Sequence, residues 1–479
     1  MANEPTARCT DRTPDGARLA WAVLLSLCTW GANAGAQGLT LGEVLSSSRQ
    51  HTPQVLEAMA RVRLAEGRRL SAEGAFDLVF KGNAETRLDG FYDGKALGGG
   101  ITQPLRSRGG EFYAGYRVSD GRFPIYEDEK YTNELGELKV GVLLSLMRDR
   151  LIDERRFAVA QADADIALAR NEQLMIAIGV QRRAIDSYGA WVSAGLKLRA
   201  LRDLLALAEE RQTAFRRQTE RGEKPAILLT ENEQTVLNRR TLVVEAEQEL
   251  FVAANRLSLF LRDDAGAPRV PTLSDLPGGL PPVAPLPPDL AALAAERPDL
   301  RAIDIRMQQA RDRLALNRNA ALPRLDLVLE TSRDFGDIGP GGRSRSGTEP
   351  KVALQFSMPL QQRSARGQQA ATAAEIDAQE VRRRQLEEQI AVELETIRSQ
   401  LTTTRRLVEL ARAEQERAVQ VAQAERRRFA LGASDLLRVQ QREEAEASAR
   451  LRAIDMAFRE LQARAELAAA TADLQALGL

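Results

Sequence analysis

The chain has 479 residues, of which 28% are charged and only 5% aromatic, with 67 basic and 67 acidic side chains in balance. That balance recommends no nucleic acid as a partner. A mean hydropathy of −0.32, with no apolar run of about eighteen residues beyond the first few dozen positions, excludes a bundle of membrane-spanning helices. Few aromatics and many charges suit long helices better than thick globular cores.

Residues 1–36 read as an export signal: Arg18 precedes the apolar stretch Leu19 to Trp30, and Ala34-Gly35-Ala36 offers small residues for cleavage before Gln37. An uncleaved anchor is the alternative. Glu4, Asp11 and Asp15 are unusual ahead of such a stretch, as if translation started downstream of Met1. The only cysteines, Cys9 and Cys28, fall inside the signal, so the processed chain carries no disulfide and no thiolate metal site. Leu27 stands where a lipoprotein signal wants a small residue, which argues against lipidation at Cys28.

The rest reads as one unit written twice, so the repeat comes before any motif. Residues 37–263 form the first copy. A helix from about Thr40 to Gly74 leads into strands at 77–92 and 136–147 with an insertion at 94–133; a long helix at 151–217 and a returning helix at 226–261 follow. Residues 264–288 are a proline-rich connector, with eight prolines between Ala265 and Pro288. Residues 289–479 repeat the order: a helix from about Asp289 to Ala321, strands at 324–333 and 350–360, a long helix at 364–430 and a return at 436–477. Asp77-Leu78-Val79-Phe80 faces Asp326-Leu327-Val328-Leu329, Lys139-Val140-Gly141-Val142 faces Lys351-Val352-Ala353-Leu354, and Arg221-Gly222 faces Leu431-Gly432.

Period two marks the strands. Leu78, Phe80, Gly82 and Ala84 alternate with Lys81, Asn83, Glu85 and Arg87, and Val352, Leu354 and Phe356 alternate with Lys351 and Gln355. Lys139, Asp326 and Glu330 occupy the polar side of the other two. The insertion either adds a hairpin or forms an external loop; alternation of Phe112, Ala114, Tyr116 and Val118 favours a strand. Heptads mark the long helices: Ala177, Ala184, Trp191, Leu198 and Leu205 recur every seven residues in the first. Such a helix reaches roughly 100 Å. Gly222 and Gly432 stand where the helices reverse.

A strand with one apolar face must bury it. A soluble sandwich is the usual solution, but a coiled-coil shaft that fills its own seams leaves no second apolar layer, whereas lipid accepts the greasy face directly. Four strands per chain cannot close a barrel, so several chains must share one, with the polar faces around water.

At this point Glu296-Arg297-Pro298-Asp299-Leu300-Arg301, Leu322-Pro323-Arg324-Leu325-Asp326-Leu327 and Leu431-Gly432-Ala433-Ser434-Asp435-Leu436-Leu437 together resemble the TolC-type outer-membrane efflux proteins. The resemblance implies a mainly α fold with transmembrane β: a homotrimer, a shared twelve-stranded outer-membrane barrel and a long periplasmic α-helical barrel. It implies a passive exit duct of a tripartite efflux or type I secretion system, docked on a periplasmic adaptor and served by an inner-membrane RND or ABC transporter. It implies no catalysis, cofactor or metal. The gate is expected at the helical tips, around Gly222, Glu231, Gly432, Asp435, Arg438 and Gln441. The expected lumen-facing residues are Lys81, Asn83, Glu85, Arg87, Lys139, Asp326, Glu330, Lys351 and Gln355.

This sequence departs from the family pattern where carboxylates are usual after the second turn. Arg438 and Gln441 stand there, which puts a cation-selective ring in doubt unless Asp435 or Glu231 replaces it. The first copy also lacks the Leu-Pro pair before its strand, having Ala75-Phe76. The rival of another class is a periplasmic coiled-coil adaptor or scaffold, which would carry one helical hairpin where this chain shows two. A hydrolase finds little support, since His51 is the only histidine and no phosphate loop or nucleophile elbow appears.

Overall fold

A computed structural model describes residues 38–282, 289–339 and 347–479. The export-signal reading of residues 1–36 and the last part of the connector, 283–288, lie outside them. The first repeat supplies α1 (Leu41–His51), α2 (Pro53–Glu73), β1 (Val79–Thr86), β2 (Lys95–Pro104), β3 (Glu111–Asp120), β4 (Glu137–Ser145), α3 (Glu154–Glu220) and α4 (Ala226–Leu257). The second supplies α5 (Leu290–Ala295), α6 (Pro298–Ala320), β5 (Arg324–Asp334), β6 (Thr348–Ser357), α7 (Arg363–Ala430) and α8 (Leu436–Ala470).

Two features depart from the sequence reading. The single opening helix of each copy is broken in two, at Pro53 and at Pro298. A residue before proline is pushed out of the helical region, and Thr52 (ψ 126°) and Arg297 (ψ 138°) are both extended. The sheet has six strands, not four, because the insertion contributes β2 and β3. β1 also ends at Thr86, short of residue 92, where the chain turns through Asp89 and the left-handed Gly90.

The six strands form one antiparallel sheet in the order β1-β2-β3-β4-β5-β6. The two repeats meet at β4 and β5, where Ser145 lies opposite Asp326. At 67 and 68 residues, α3 and α7 are each about 100 Å long at 1.5 Å per residue. Near the sheet α2 packs on α3, α3 on α6 and α6 on α7; farther away α4 packs on α3, α3 on α8 and α8 on α7. Small residues permit the α3–α8 approach: a Cβ on Gly189 would sit 2.8 Å from the Phe458 ring.

The main core lies around this crossing, where Tyr188, Trp191 and Val192 of α3 meet Val44 and Leu45 of α1, Leu257 of α4 and Leu461 of α8. The Tyr188 hydroxyl donates to the Leu39 carbonyl at 2.8 Å, and burial pushes its ionisation up to about 12.

The junction of sheet and helices is locked by polar contacts. Asp149 takes a left-handed backbone (φ 67°) between β4 and α3. Its N–H donates to Asn319 Oδ1 at 3.0 Å, and Asn319 Nδ2 donates to its carboxylate at 2.9 Å. Arg156 Nη2 donates to the Asp149 carbonyl at 2.6 Å. One asparagine of the second repeat therefore pins the turn of the first.

Candidate functional site

The register sorts the sheet into two faces. A perpendicular line from Lys81 passes Gly100, Gly115, Lys139, Ser332 and Glu349. The line from Asn83 passes Gly98, Arg117, Glu137 and Asp334. Because residues opposite one another in an antiparallel pair share a face, Lys81, Asn83, Glu85, Lys139, Asp326, Glu330, Lys351 and Gln355 all lie on one side. Arg87 follows the end of β1 and its guanidinium reaches Glu127 at 2.5 Å.

The polar side is knitted across strands. Gly141 leaves a gap over which the Tyr113 ring lies, since a Cβ there would be 2.4 Å from the ring. The hydroxyl thereby crosses β4 and donates to Glu330 Oε2 on β5 at 2.6 Å. Lys139 and Lys351 approach the same carboxylate at 3.5 and 3.8 Å. Beyond the strands, Ile125–Lys130 forms a short helical turn that folds towards this face. Lys130 pairs with Glu85 at 2.8 Å and with Glu127 at 3.1 Å, and Arg117 donates to the Glu129 carbonyl at 2.6 Å. The hydrogen bond from Arg87, helped by Lys130, holds the Glu127 carboxyl below its usual range.

The other side carries Phe80, Leu97, Ile101, Phe112, Tyr116, Val140, Leu327, Val352, Leu354 and Phe356, and nothing packs over much of it. Phe80 is 72% exposed, Val352 71% and Phe356 67%. Strands of 8 to 11 residues match the roughly 9–11 needed to cross a bilayer when tilted. Among the described residues no helix is long and apolar enough to cross a membrane.

At the far end both hairpins turn by the same device. The Gly222 N–H donates to the Thr219 carbonyl and the Glu223 N–H to the Gln218 carbonyl, at 3.0 and 2.8 Å. Gly432 and Ala433 repeat this on Phe429 and Arg428 at the same two distances. Both glycines have φ 74°, the left-handed cap that ends a helix and satisfies its last carbonyls. Asp435 caps α8 by accepting from the Arg438 N–H at 2.8 Å, and its carboxylate also meets the Arg438 guanidinium at 3.3 Å. Of the candidates for an acidic ring, Asp435 is thus already engaged, while Glu231 and Gln441 are exposed on α4 and α8.

The two tips touch through residues the sequence reading did not single out. Phe215 of α3 and Phe429 of α7 lie 6.5 Å apart, and Lys224 of the first turn sits 5.1 and 5.4 Å from their centroids. Farther from the turns, Glu443 of α8 is fully buried between Arg211 of α3 at 2.6 Å and Arg239 of α4 at 3.1 Å. Arg239 also donates to the Leu204 carbonyl at 2.7 Å. Burial lowers the Arg239 pKa, with Glu443 opposing that shift. Gln440 donates to Thr235 Oγ1 at 2.9 Å. The seam spacing held the signal: Asn232, Val236, Arg239, Val243 and Ala246 are all buried at intervals of three and four.

Among the described residues no group of three or more His, Cys, Asp or Glu side chains is placed to hold a metal ion.

Residues 290–473 match the family model described as outer membrane efflux protein. No curated protein sequence matches the chain. Among solved structures the fold is similar to the outer-membrane channel OprN (17% identity, TM-score 0.63, covering 90% of this chain and 89% of that one). It is also similar to the open state of the MtrE outer membrane channel of Neisseria gonorrhoeae (16%, 0.61, 90% and 88%). The CmeC outer membrane channel of Campylobacter jejuni is a third (12%, 0.59, 96% and 94%). At these identities the likeness speaks for the fold.

Proposed function

We infer, from a chain whose residues 290–473 match the model of the outer membrane efflux protein family, that it is an outer-membrane channel: the exit duct of an efflux system, with most of the chain in the periplasm. The observation that carries this is the six-stranded sheet, bare and apolar on one face and charged on the other, joined directly to helices of about 100 Å. Lipid covers the apolar face without an added protein layer. In a bilayer no strand edge can stay unpaired, so the open edges of β1 and β6 call for neighbouring copies. In this reading three copies share one wall around water, and Lys81, Asn83, Glu85, Arg87, Lys139, Asp326, Glu330, Lys351 and Gln355 line it. A scaffold or adaptor reading explains neither the bare sheet face nor the second helical hairpin.

The duct moves solute passively and catalyses nothing. An adaptor in the periplasm docks on the tips and an inner-membrane RND or ABC transporter supplies the cargo. The gate lies at the turns around Gly222, Glu231, Gly432, Asp435, Arg438 and Gln441. For the second hairpin to swing from the first, the Arg211–Glu443–Arg239 cluster and the Phe215–Lys224–Phe429 stack must yield, because they join α3 and α4 to α7 and α8. Fractionation tests the proposal. Outer membranes should retain the chain through alkaline carbonate, and detergent extracts should hold a heat-modifiable particle of three chains; a monomer released by carbonate overturns it.

A further inference from the structure

We propose that β2 and β3 are full wall strands, so that β6 of one copy pairs with β1 of the next and three copies close an eighteen-stranded barrel. This rests on the reading of the chain as a shared outer-membrane duct and changes its dimensions. The resemblance implies twelve strands, which needs four per chain; here the sheet has six.

The β2–β3 hairpin spans the full height of the wall. Its turn, residues 105–110, lies at the helix end of the sheet: Arg106 stacks 5.3 Å over Phe76, Gln103 donates to the Phe76 carbonyl at 2.6 Å, and a Cβ on Gly109 would meet the Asp149 carbonyl. Its other ends join β1 and β4 at the opposite rim. Both strands are ten residues long. The hairpin also continues both faces without a phase change, with Ile101, Phe112 and Tyr116 on the apolar side and Thr102, Tyr113 and Arg117 on the polar side. An appendage outside the wall would have no reason to carry a lipid-compatible face in register with its neighbours.

The free edges fit a second copy of this chain. β1 is exposed throughout and β6 almost throughout, and six strands bring β6 antiparallel to the β1 that follows. Set the helix ends Val79 and Ser357 side by side, and Glu85 falls opposite Lys351 and Arg87 opposite Glu349, charge against charge, while Phe80 meets Phe356 on the apolar side. The same pairing also agrees with barrel geometry. A perpendicular line leaving Val79 crosses Thr102, Tyr113, Gly141, Glu330 and Lys351, and with the pairing just set it meets Glu85 in the next copy. That is roughly one residue of shift per strand, the ratio that tilts barrel strands by about 36°. Since diameter grows roughly linearly with strand number, the exit is about one and a half times as wide as a twelve-stranded one and admits correspondingly bulkier cargo.

Cysteine pairs test this in the full chain expressed in outer membranes, with both native cysteines replaced. Glu85→Cys combined in turn with Glu349→Cys, Lys351→Cys or Ala353→Cys should yield two- and three-chain disulfide products, strongest with Lys351→Cys. Lys81→Cys with Glu137→Cys, Lys139→Cys or Leu143→Cys should give no bond within the chain. Two intervening strands hold Lys81 and Lys139 about 14 Å apart, and a disulfide needs Cα atoms within about 7 Å. A β1–β4 disulfide, or a three-chain particle in which no β1–β6 pair cross-links, overturns the proposal while leaving the duct intact. A carbonate-soluble monomer instead removes the duct itself. Strand counting by electron microscopy of the particle decides directly between eighteen and twelve.

Discussion

Wall and shaft solve opposite solvent problems with the same chain. In the sheet, backbone polar groups are paired in ladders and the apolar side chains stay bare, with Val352 and Phe356 each about two-thirds exposed or more. In the shaft the seam is filled, and at one level it holds a carboxylate with two guanidiniums, none of whose side chains is more than 10% exposed. Hydrophobicity alone therefore says little about depth in this molecule; what lies outside each face decides where a residue belongs.

The largest effect is expected where a buried charge loses its counterpart. Glu443→Ala leaves Arg211 and Arg239 facing each other without an anion, which should cost about 3–5 kcal/mol. Thermal unfolding of the detergent-solubilised protein should show it as a large drop, and a melt unchanged from wild type would mean that the cluster ties nothing. On the wall the error is reversed. Val352→Arg puts a charge on the bare face and should cost about 2–4 kcal/mol near the midplane, read as loss of heat-resistant folded protein from outer membranes. If Val352→Arg assembles normally, the face meets water rather than lipid.

At the joint between the two regions, Asn319→Ala strips the partner from the Asp149 N–H and should cost about 1–3 kcal/mol. Asn319→Asp keeps one acceptor but sets a second carboxylate against Asp149, so hydrogen exchange at the β4–α3 turn should rise in both variants. Equal protection in wild type and Asn319→Ala counts against the lock. The smallest effect concerns the Ile125–Lys130 turn over the polar face. Because Glu127 titrates below its ordinary 4.5, its pairing with Arg87 is intact above that value and weakens as pH falls through the lowered one. Protease nicking of residues 121–136 should increase only under that acid condition, and Glu127→Gln should show the same nicking at neutral pH.

The sequence disclosed the fold class wherever a repeat period survived. Trp191, Leu198 and Leu205 keep heptad spacing because each packs into a seam, and Phe80 alternates with Lys81 because one face of the sheet is apolar and the other charged. Where side chains vanish, so does the signal: Gly98-Gly99-Gly100 removes the alternation from the middle of β2, which hides that strand in the sequence. The tip was only half legible. Gly222 and Gly432 announce turns by their backbone needs, whereas Glu443 reads as one more solvated helix charge until its neighbours on two other helices are seen. The breaks at Pro53 and Pro298 follow from proline chemistry, yet a proline suits a helix start as well as a break, so the residue alone does not tell one helix from two.

The two reversals raise a question of chirality. Neither Gly222 nor Gly432 has any heavy atom within 4 Å of the place a Cβ would occupy, so room is not what glycine provides there. Its contribution is indifference to mirror image: an L-alanine pays the left-handed penalty of about 1–2 kcal/mol, while a D-alanine, the same size and enantiomeric, should sit in either turn unstrained. Semisynthesis with that single stereocentre inverted would separate backbone handedness from bulk at the tips of the two helical hairpins.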